Sequence, residues 1–286
     1  LEAKRMRSIA LLLSHNSFNE NYTNALPAAL AIELFHNFTL IHDDIMDKAN
    51  LRRGAKTVHE KWDNNIAILS GDTMLVQSYS LLSDLELNIQ ANVYKVFSDT
   101  AKQVCEGQQL DMDFEQIQEL EISEYIEMIK KKTSVLLAAS FQIGALIANA
   151  SIEDTSLMYQ FGLNIGIAFQ LQDDMLDLYG DQSKFGKKTG GDIISNKKTY
   201  LFLKSLSLAN SQQEKTLIEL FSNPTINEDK KIQEVKNIFD EVGVLEHIKV
   251  QINYYHKQAQ NNLEDLTITN KDDLNDFANL LLKREV

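Results

Sequence analysis

The stretch Phe169–Asp177 reads FQLQDDMLD, and it has an echo at Leu40–Asp47, LIHDDIMD. Each carries Asp-Asp-x-x-Asp at the end of an apolar segment, and the copies stand 130 residues apart. A solenoid would repeat every 20–50 residues or so, which makes this two sites and not an array. At about 100° per residue, Asp43 and Asp47 share one helix face, about 40° apart, and so do Asp173 and Asp177. Like charges one turn apart destabilise a lone helix, and carboxylates near a C-terminus oppose its dipole. A hard divalent cation offsets both effects, and Mg²⁺ takes carboxylate oxygens together with water and phosphate. An EF-hand is excluded, since its loop needs ligands at alternate positions around a central glycine.

Working outward, the 286 residues hold 2 Pro and 11 Gly, too little turn chemistry for a sandwich or barrel of short strands. The chain reads as all-α. Helices are expected at about 3–14, 26–47, 64–83, 87–112, 122–132, 134–149, 153–179, 197–208, 211–221, 228–242, 244–265 and 271–284. Lys48–Lys56 and Gly180–Gly191 are expected to be functional loops. No composition break marks a second domain, so a single domain over 1–286 is expected. The uncharged stretches Ser134–Ile152 and Thr155–Gln172 raise the question of a membrane span. Glutamines and asparagines interrupt both, so helices buried in a bundle are the better reading.

With 28 basic and 41 acidic residues the net charge is −13, which argues against nucleic acid as a partner. A single cysteine, Cys105, rules out an internal disulfide or a cysteine-based zinc site; it is expected to be a packing residue. No signal peptide is read at the start, which carries Lys4, Arg5 and Arg7, and a cytoplasmic location is expected. Arg52 and Arg53 follow the first acidic motif, and Lys187, Lys188, Lys197 and Lys198 follow the second. Arg forks, Lys charges and Mg²⁺ together bind polyvalent anions. Glu33-x-x-His36 suggests a di-iron site, but such sites need a second pair, which the chain lacks.

These motifs, with GQQLD (Gly107–Asp111), KKTS (Lys131–Ser134), FGKKTGGD and Lys197-Lys198-Thr199, resemble the trans-isoprenyl diphosphate synthase family, of the farnesyl/geranylgeranyl type. The resemblance covers essentially the whole chain. It implies an isoprenoid-synthase-type helical bundle around a deep central cavity, normally a homodimer. It implies a prenyltransferase of isoprenoid biosynthesis that condenses isopentenyl diphosphate with an allylic diphosphate (dimethylallyl, geranyl or farnesyl), using about three Mg²⁺ per active site.

By that resemblance, Asp43, Asp47 and Asp173 bind Mg²⁺, with Asp44, Asp174 and Asp177 supporting them. Arg52, Lys132, Lys187 and Lys197 hold the allylic diphosphate, and Lys4, Arg5, His36 and Arg53 hold that of isopentenyl diphosphate. Thr133 and Gln170 lie along the developing allylic cation, and Gln108 and Asp111 support the site. The family usually carries Gly-Gly-Lys-Arg-x-Arg-Pro near its start; here Glu2-Ala3-Lys4-Arg5-Met6-Arg7-Ser8 keeps the bases but not the glycines or the proline.

Two rival readings are weighed. A class I terpene cyclase shares the first motif but replaces the second and lacks the isopentenyl-binding bases. A non-catalytic regulatory subunit of a paralogous synthase is expected to have lost motif aspartates, and none is lost. Chain length in the family depends on the residues four and five before the first motif, here Thr39 and Phe38. On an ideal helix Thr39 lies about 40° from Asp43 and Phe38 about 140°, so Phe35, about 80° off and a turn deeper, is an alternative cavity floor. A C20 product is favoured over C15.

Overall fold

The computed structural model describes residues 5–117, 119–180, 189–222, 226–268 and 270–282, so Lys4, Lys187 and Lys188 lie outside the described residues. The regular structure of the described residues is helical, almost all of it α, apart from one hairpin of two two-residue strands. It divides into two compact units, each assembled from three separate segments. Unit 1 comprises 1–102, 136–162 and 262–274; unit 2 comprises 103–135, 163–261 and 275–286.

Unit 1 begins with α1 (Met6–Asn16) and α2 (Leu26–Met46), the latter with Pro27 in its first turn, where a missing N–H costs nothing. α2 packs along α4 (Asn64–Leu82), which follows the single turn α3 (Val58–Lys61). Asp63 caps α4 by accepting from the Ile66 N–H at 2.9 Å. Lys48–Lys56, expected as a loop, contains a hairpin of β1 (Leu51–Arg52) and β2 (Ala55–Lys56), paired Leu51↔Lys56 and Arg52↔Ala55. Its two central residues, Arg53 and Gly54, have φ of 52° and 76°. That is the left-handed pair a tight hairpin needs, usually written Asn-Gly, so Arg-Gly gave no turn signal.

The remaining helices are α5 (Leu87–Gln116), α6 (Ile122–Ile129), α7 (Val135–Ile147), α8 (Ile152–Tyr179), α9 (Gly191–Ile194), α10 (Tyr200–Leu208), α11 (Ser211–Ser222), α12 (Glu228–Glu241), α13 (Val244–Asp265) and α14 (Asp272–Leu282). The expected break near residue 133 is absent. Helical backbone continues from α6 to α7 through a π-helical segment, Lys130–Ser134. After Ile147, Asn149 turns left-handed (φ 58°), and the Ala150 N–H bonds the Ala145 carbonyl at 3.0 Å, closing the helix end.

The uncharged stretches are core. In unit 1, Phe141 and Phe161 are at most 1% exposed and meet edge-on at 5.0 Å. The Ser14 hydroxyl donates to the Phe141 carbonyl at 2.6 Å. Among the described residues no helix is long and apolar enough to cross a membrane. Cys105 corrects an expectation: it is exposed, not packed. Partial burial and the charge of Glu106 push its thiol up.

Candidate active site

In unit 1 the acidic motif ends α2. Asp47 follows the last helical residue and its N–H bonds the Asp43 carbonyl at 2.8 Å, which keeps the two aspartates one turn apart. Asp44 points elsewhere: it is 4% exposed, and its Oδ1 accepts from Nε and Nη2 of Arg52, each at 2.6 Å. Asp44 thereby ties the hairpin to α2.

One helical turn and more before the motif, His36 Nε2 accepts from Arg7 Nη1 at 3.0 Å. Burial, and then the charges of Arg7, Arg53 and Arg52, drive His36 down to about 2, so the ring is neutral at any working pH. Burial also lowers Arg7 to about 10, against the pull of Glu33. Arg7 Nε is sealed from solvent with no hydrogen-bond partner among the described residues. A guanidinium on a neutral imidazole, with one donor left unmatched and the charges of Arg53 and Arg52 felt at the ring, suits a multiply charged anion.

The structure brings Arg7, rather than Arg5, to His36. Arg5 is exposed, caps α1 in a left-handed conformation (φ 46°) and accepts from the Ile9 N–H at 3.1 Å. The signal was available: Arg7 shares a helix face with the buried Leu11 and Ser14, four and seven residues on. Ser8, standing where the family usually has proline, donates its N–H and hydroxyl to Glu33 Oε1 at 3.3 and 3.0 Å. Proline could not supply that N–H. Glu33 and His36 are thus engaged with Ser8 and Arg7, which leaves no reason to pair them as iron ligands.

Unit 2 holds the second motif on α8. Asp174 is buried; it accepts from the Tyr125 hydroxyl in a short hydrogen bond and from Gln170 Nε2 at 3.1 Å. Gln170 Oε1 in turn accepts from the Thr133 hydroxyl at 3.2 Å. Lys132 Nζ donates to Asp111 Oδ2 at 2.6 Å. Asp177 Oδ2 accepts from the Asp192 N–H at 3.0 Å, and the Asp177 carbonyl accepts from the Gly190 N–H at 2.8 Å. A pocket is lined by Asp111, Lys132, Thr133, Gln170, Asp174, Asp192 and Lys197. Gln108 is half-buried on α5 and does not line it.

Lys132 and Thr133 owe their position to the π-helical segment, which inserts one extra residue per turn. Two glycines admit it. A Cβ at Gly107 of α5 would stand 2.2 Å from the Lys132 nitrogen, and one at Gly166 of α8 would stand 2.8 Å from Ser134 Cα. The Ser134 hydroxyl reaches back to the Ile129 carbonyl at 3.4 Å, the five-residue spacing the bulge creates.

The pocket is over-supplied with carboxylates. Asp192 rises to about 6, chiefly through burial and then through the charge of Asp177, with Lys197 opposing. Asp174 rises well above the usual range through burial and the charge of Asp192, although Tyr125 and Gln170 hydrogen-bond its ionised form. Such a cluster favours a cation in its midst. Among the described residues no three His, Cys, Asp or Glu side chains already close on a common point. Mg²⁺ needs only one or two carboxylates when phosphate supplies further oxygens, so the donor set fits a cation that arrives with a diphosphate.

Residues 1–242 match the family described as polyprenyl synthetase. The chain belongs to that family. It is 39% identical to a geranylgeranyl diphosphate synthase of Methanosarcina mazei, over 92% of this chain and 80% of that one. It is 40% identical to a short chain isoprenyl diphosphate synthase of Methanocaldococcus jannaschii, over 82% and 72% respectively. A crystal structure of a geranylgeranyl pyrophosphate synthase superposes with a TM-score of 0.95 at 44% identity, covering all of this chain and 89% of that one. This polyprenyl synthetase therefore has the all-α isoprenoid synthase fold and is a trans-prenyltransferase that makes short-chain prenyl diphosphates.

For a polyprenyl synthetase three residues stand out to which the motifs gave no site role: Arg7, a base of the start motif, Tyr125 and Asp192. The last closes the quoted FGKKTGGD, but only the fold shows it bonded to Asp177. The candidate chain-length residues sit together in unit 1. Phe38 is 8% exposed, with Phe35 at 5.5 Å and His42 at 4.8 Å between ring centres; Phe35 also meets Phe97 edge-on at 5.3 Å. The Thr39 hydroxyl turns back to the His36 carbonyl at 2.8 Å.

Proposed function

We propose that this synthase is Mg²⁺-dependent and makes a C20 product, geranylgeranyl diphosphate, from isopentenyl diphosphate and an allylic primer, acting as a single synthase domain in the cytoplasm. The observation that carries the site reading is that the chain holds both an arginine-rich anion site, in unit 1, and a carboxylate-and-lysine pocket, in unit 2. Asp43, Asp47 and Asp173 would hold Mg²⁺, supported by Asp44, Asp174 and Asp177. Bound there, the metal neutralises diphosphate charge and makes it a better leaving group.

The residues of the chain do the rest. Arg7, Arg53 and neutral His36 bind the diphosphate of isopentenyl diphosphate; Lys4 and Arg5, from the family pattern, would approach the same anion. Arg52, Lys132, Lys187 and Lys197 bind that of the allylic substrate. When its C–O bond breaks, the Thr133 and Gln170 oxygens face the positive charge that develops on the allylic carbons. The isopentenyl double bond then forms the new C–C bond, and the proton lost from the adjacent carbon passes to the released diphosphate. Burial keeps water from intercepting the cation.

The two diphosphate assignments are separable by kinetics. Arg53→Ala is expected to raise the Michaelis constant for isopentenyl diphosphate about tenfold, and Lys197→Ala that for the allylic primer. Both variants weakening the same substrate would overturn the assignment.

The names of the relatives and the bulk of Phe38 support C20. The Phe38 ring lies toward His42, whose own ring covers Gly71 of α4, in keeping with its place about 140° around from Asp43. Phe38→Ala is expected to lengthen the product, read by chromatography of the dephosphorylated prenols. Unchanged product there, with longer product from Phe35→Ala, moves the stop to Phe35.

No dimer is needed to cover the uncharged helix after Ser134, because Val135, Ala138, Ala139 and Phe141 are wholly buried within one chain. A different surface supports the expected homodimer. α4 exposes Ile66, Leu69 and Val76 at 43%, 65% and 66%, a stripe at helical spacing. Sedimentation at micromolar concentration is expected to give a dimer, and a species of monomer mass alone would remove the proposal.

A further inference from the structure

Lys231, near the start of α12, is 5% exposed. Lysine is almost never buried without a counter-ion. Yet among the described residues no carboxylate pairs with this one, and burial alone lowers its pKa. Its ammonium donates to Asn196 Oδ1 and lies 5.0 Å from the centre of the Phe221 ring. An unpaired buried charge works against stability, so its place calls for a reason other than packing.

Asn196 supplies one. It is left-handed (φ 56°) and forms the turn between α9, which carries Asp192, and Lys197. Its N–H bonds the Ile193 carbonyl at 3.2 Å, and the Lys197 N–H bonds the Asp192 carbonyl at 2.9 Å. On the other side, Lys198 Nζ donates to the Phe114 carbonyl at 2.8 Å and to that of Ile117, at the end of α5. Lys197 lines the pocket between Asn196 and Lys198, which line it too and are anchored to different helices. Lys231 itself does not line the pocket.

We infer that Lys231 is a positioning residue: by holding the Asn196 side chain it fixes the left-handed turn that aims Lys197, and so tunes affinity for the allylic diphosphate without touching it. This rests on the reading of Lys197 as an allylic-diphosphate ligand.

The test is steady-state kinetics with geranyl and isopentenyl diphosphates, with thermal unfolding, on Lys231→Met, Asn196→Gly (which keeps the left-handed backbone), their double variant and Lys197→Ala. Lys231→Met is expected to raise the geranyl diphosphate KM about tenfold while leaving that of isopentenyl diphosphate alone. Its melting temperature should not fall, because a desolvated charge has been removed. The double variant should be no worse than the worse single, since both act through one contact. A wild-type KM in Lys231→Met, an equal rise for both substrates, or single effects that multiply in the double variant would each overturn the inference. If Lys231→Met does not fold, a wild-type geranyl diphosphate KM in Asn196→Gly overturns it. An unchanged KM in Lys197→Ala removes the ligand reading and the inference together. A raised KM in Lys197→Ala alone removes only the inference.

Discussion

Asp43→Ala and Asp173→Ala are each expected to lower turnover about a thousandfold, some 4 kcal/mol of transition-state stabilisation, while the helical fold survives. The choice of residue matters. Asp43 and Asp173 are half-buried, whereas Asp44 and Asp174 are buried and accept from Arg52 and from Tyr125 and Gln170. Removing either of the latter would strand buried donors and confuse a catalytic loss with a structural one. Removing Asp43 or Asp173 relieves like-charge repulsion within its own motif, which offsets part of whatever contact is lost, so the melting temperature should shift far less than turnover. Turnover with saturating Mg²⁺, read beside circular dichroism, checks both halves. Near wild-type turnover in both variants would sink the metal-dependent mechanism.

Gly107→Ala is expected to be nearly as damaging by another route. The added Cβ would stand 2.2 Å from the Lys132 nitrogen and 2.6 Å from its Cα. Both are backbone atoms, which cannot swing aside as a flexible side chain would. Either α5 retreats or the π-helical segment unwinds, at a cost of about 1–3 kcal/mol. Both responses move Lys132 from Asp111 and Thr133 from Gln170, contacts of 2.6 and 3.2 Å. kcat/KM should fall about a hundredfold, because small misplacements of binding groups carry penalties of that order. The aspartate variants should lose activity with little change in melting temperature; Gly107→Ala should lose both. Wild-type kinetics in Gly107→Ala would show that the bulge does not set the geometry of Lys132.

How much was legible follows from the range of the interactions concerned. The long helices were, since an apolar stripe is a local pattern and α2, α4 and α8 fall within about two residues of expectation. The paired carboxylates were, because a four-residue spacing alone places two side chains on one face. The β1–β2 hairpin was not, as Arg53 occupies a left-handed position that its residue type does not advertise. The exposure of Cys105 was not legible either, because an apolar neighbourhood in sequence does not say which side of α5 faces water.

The sequence by itself determined the all-helical class, the two acidic motifs with their basic followers, and through them the family. These rest on residues within a few positions of one another, where backbone geometry leaves little choice. The tertiary structure decided which of several equivalent-looking residues form the sites. It chose Arg7 over Arg5 beside His36, brought Tyr125 to Asp174 across 49 positions, and set Asp192 on Asp177 across 15. It also admitted the extra residue at Lys130–Ser134, because Gly107 and Gly166, on two other helices, leave room for it. Such choices depend on close packing between segments far apart in the chain, and a one-dimensional pattern does not contain that information.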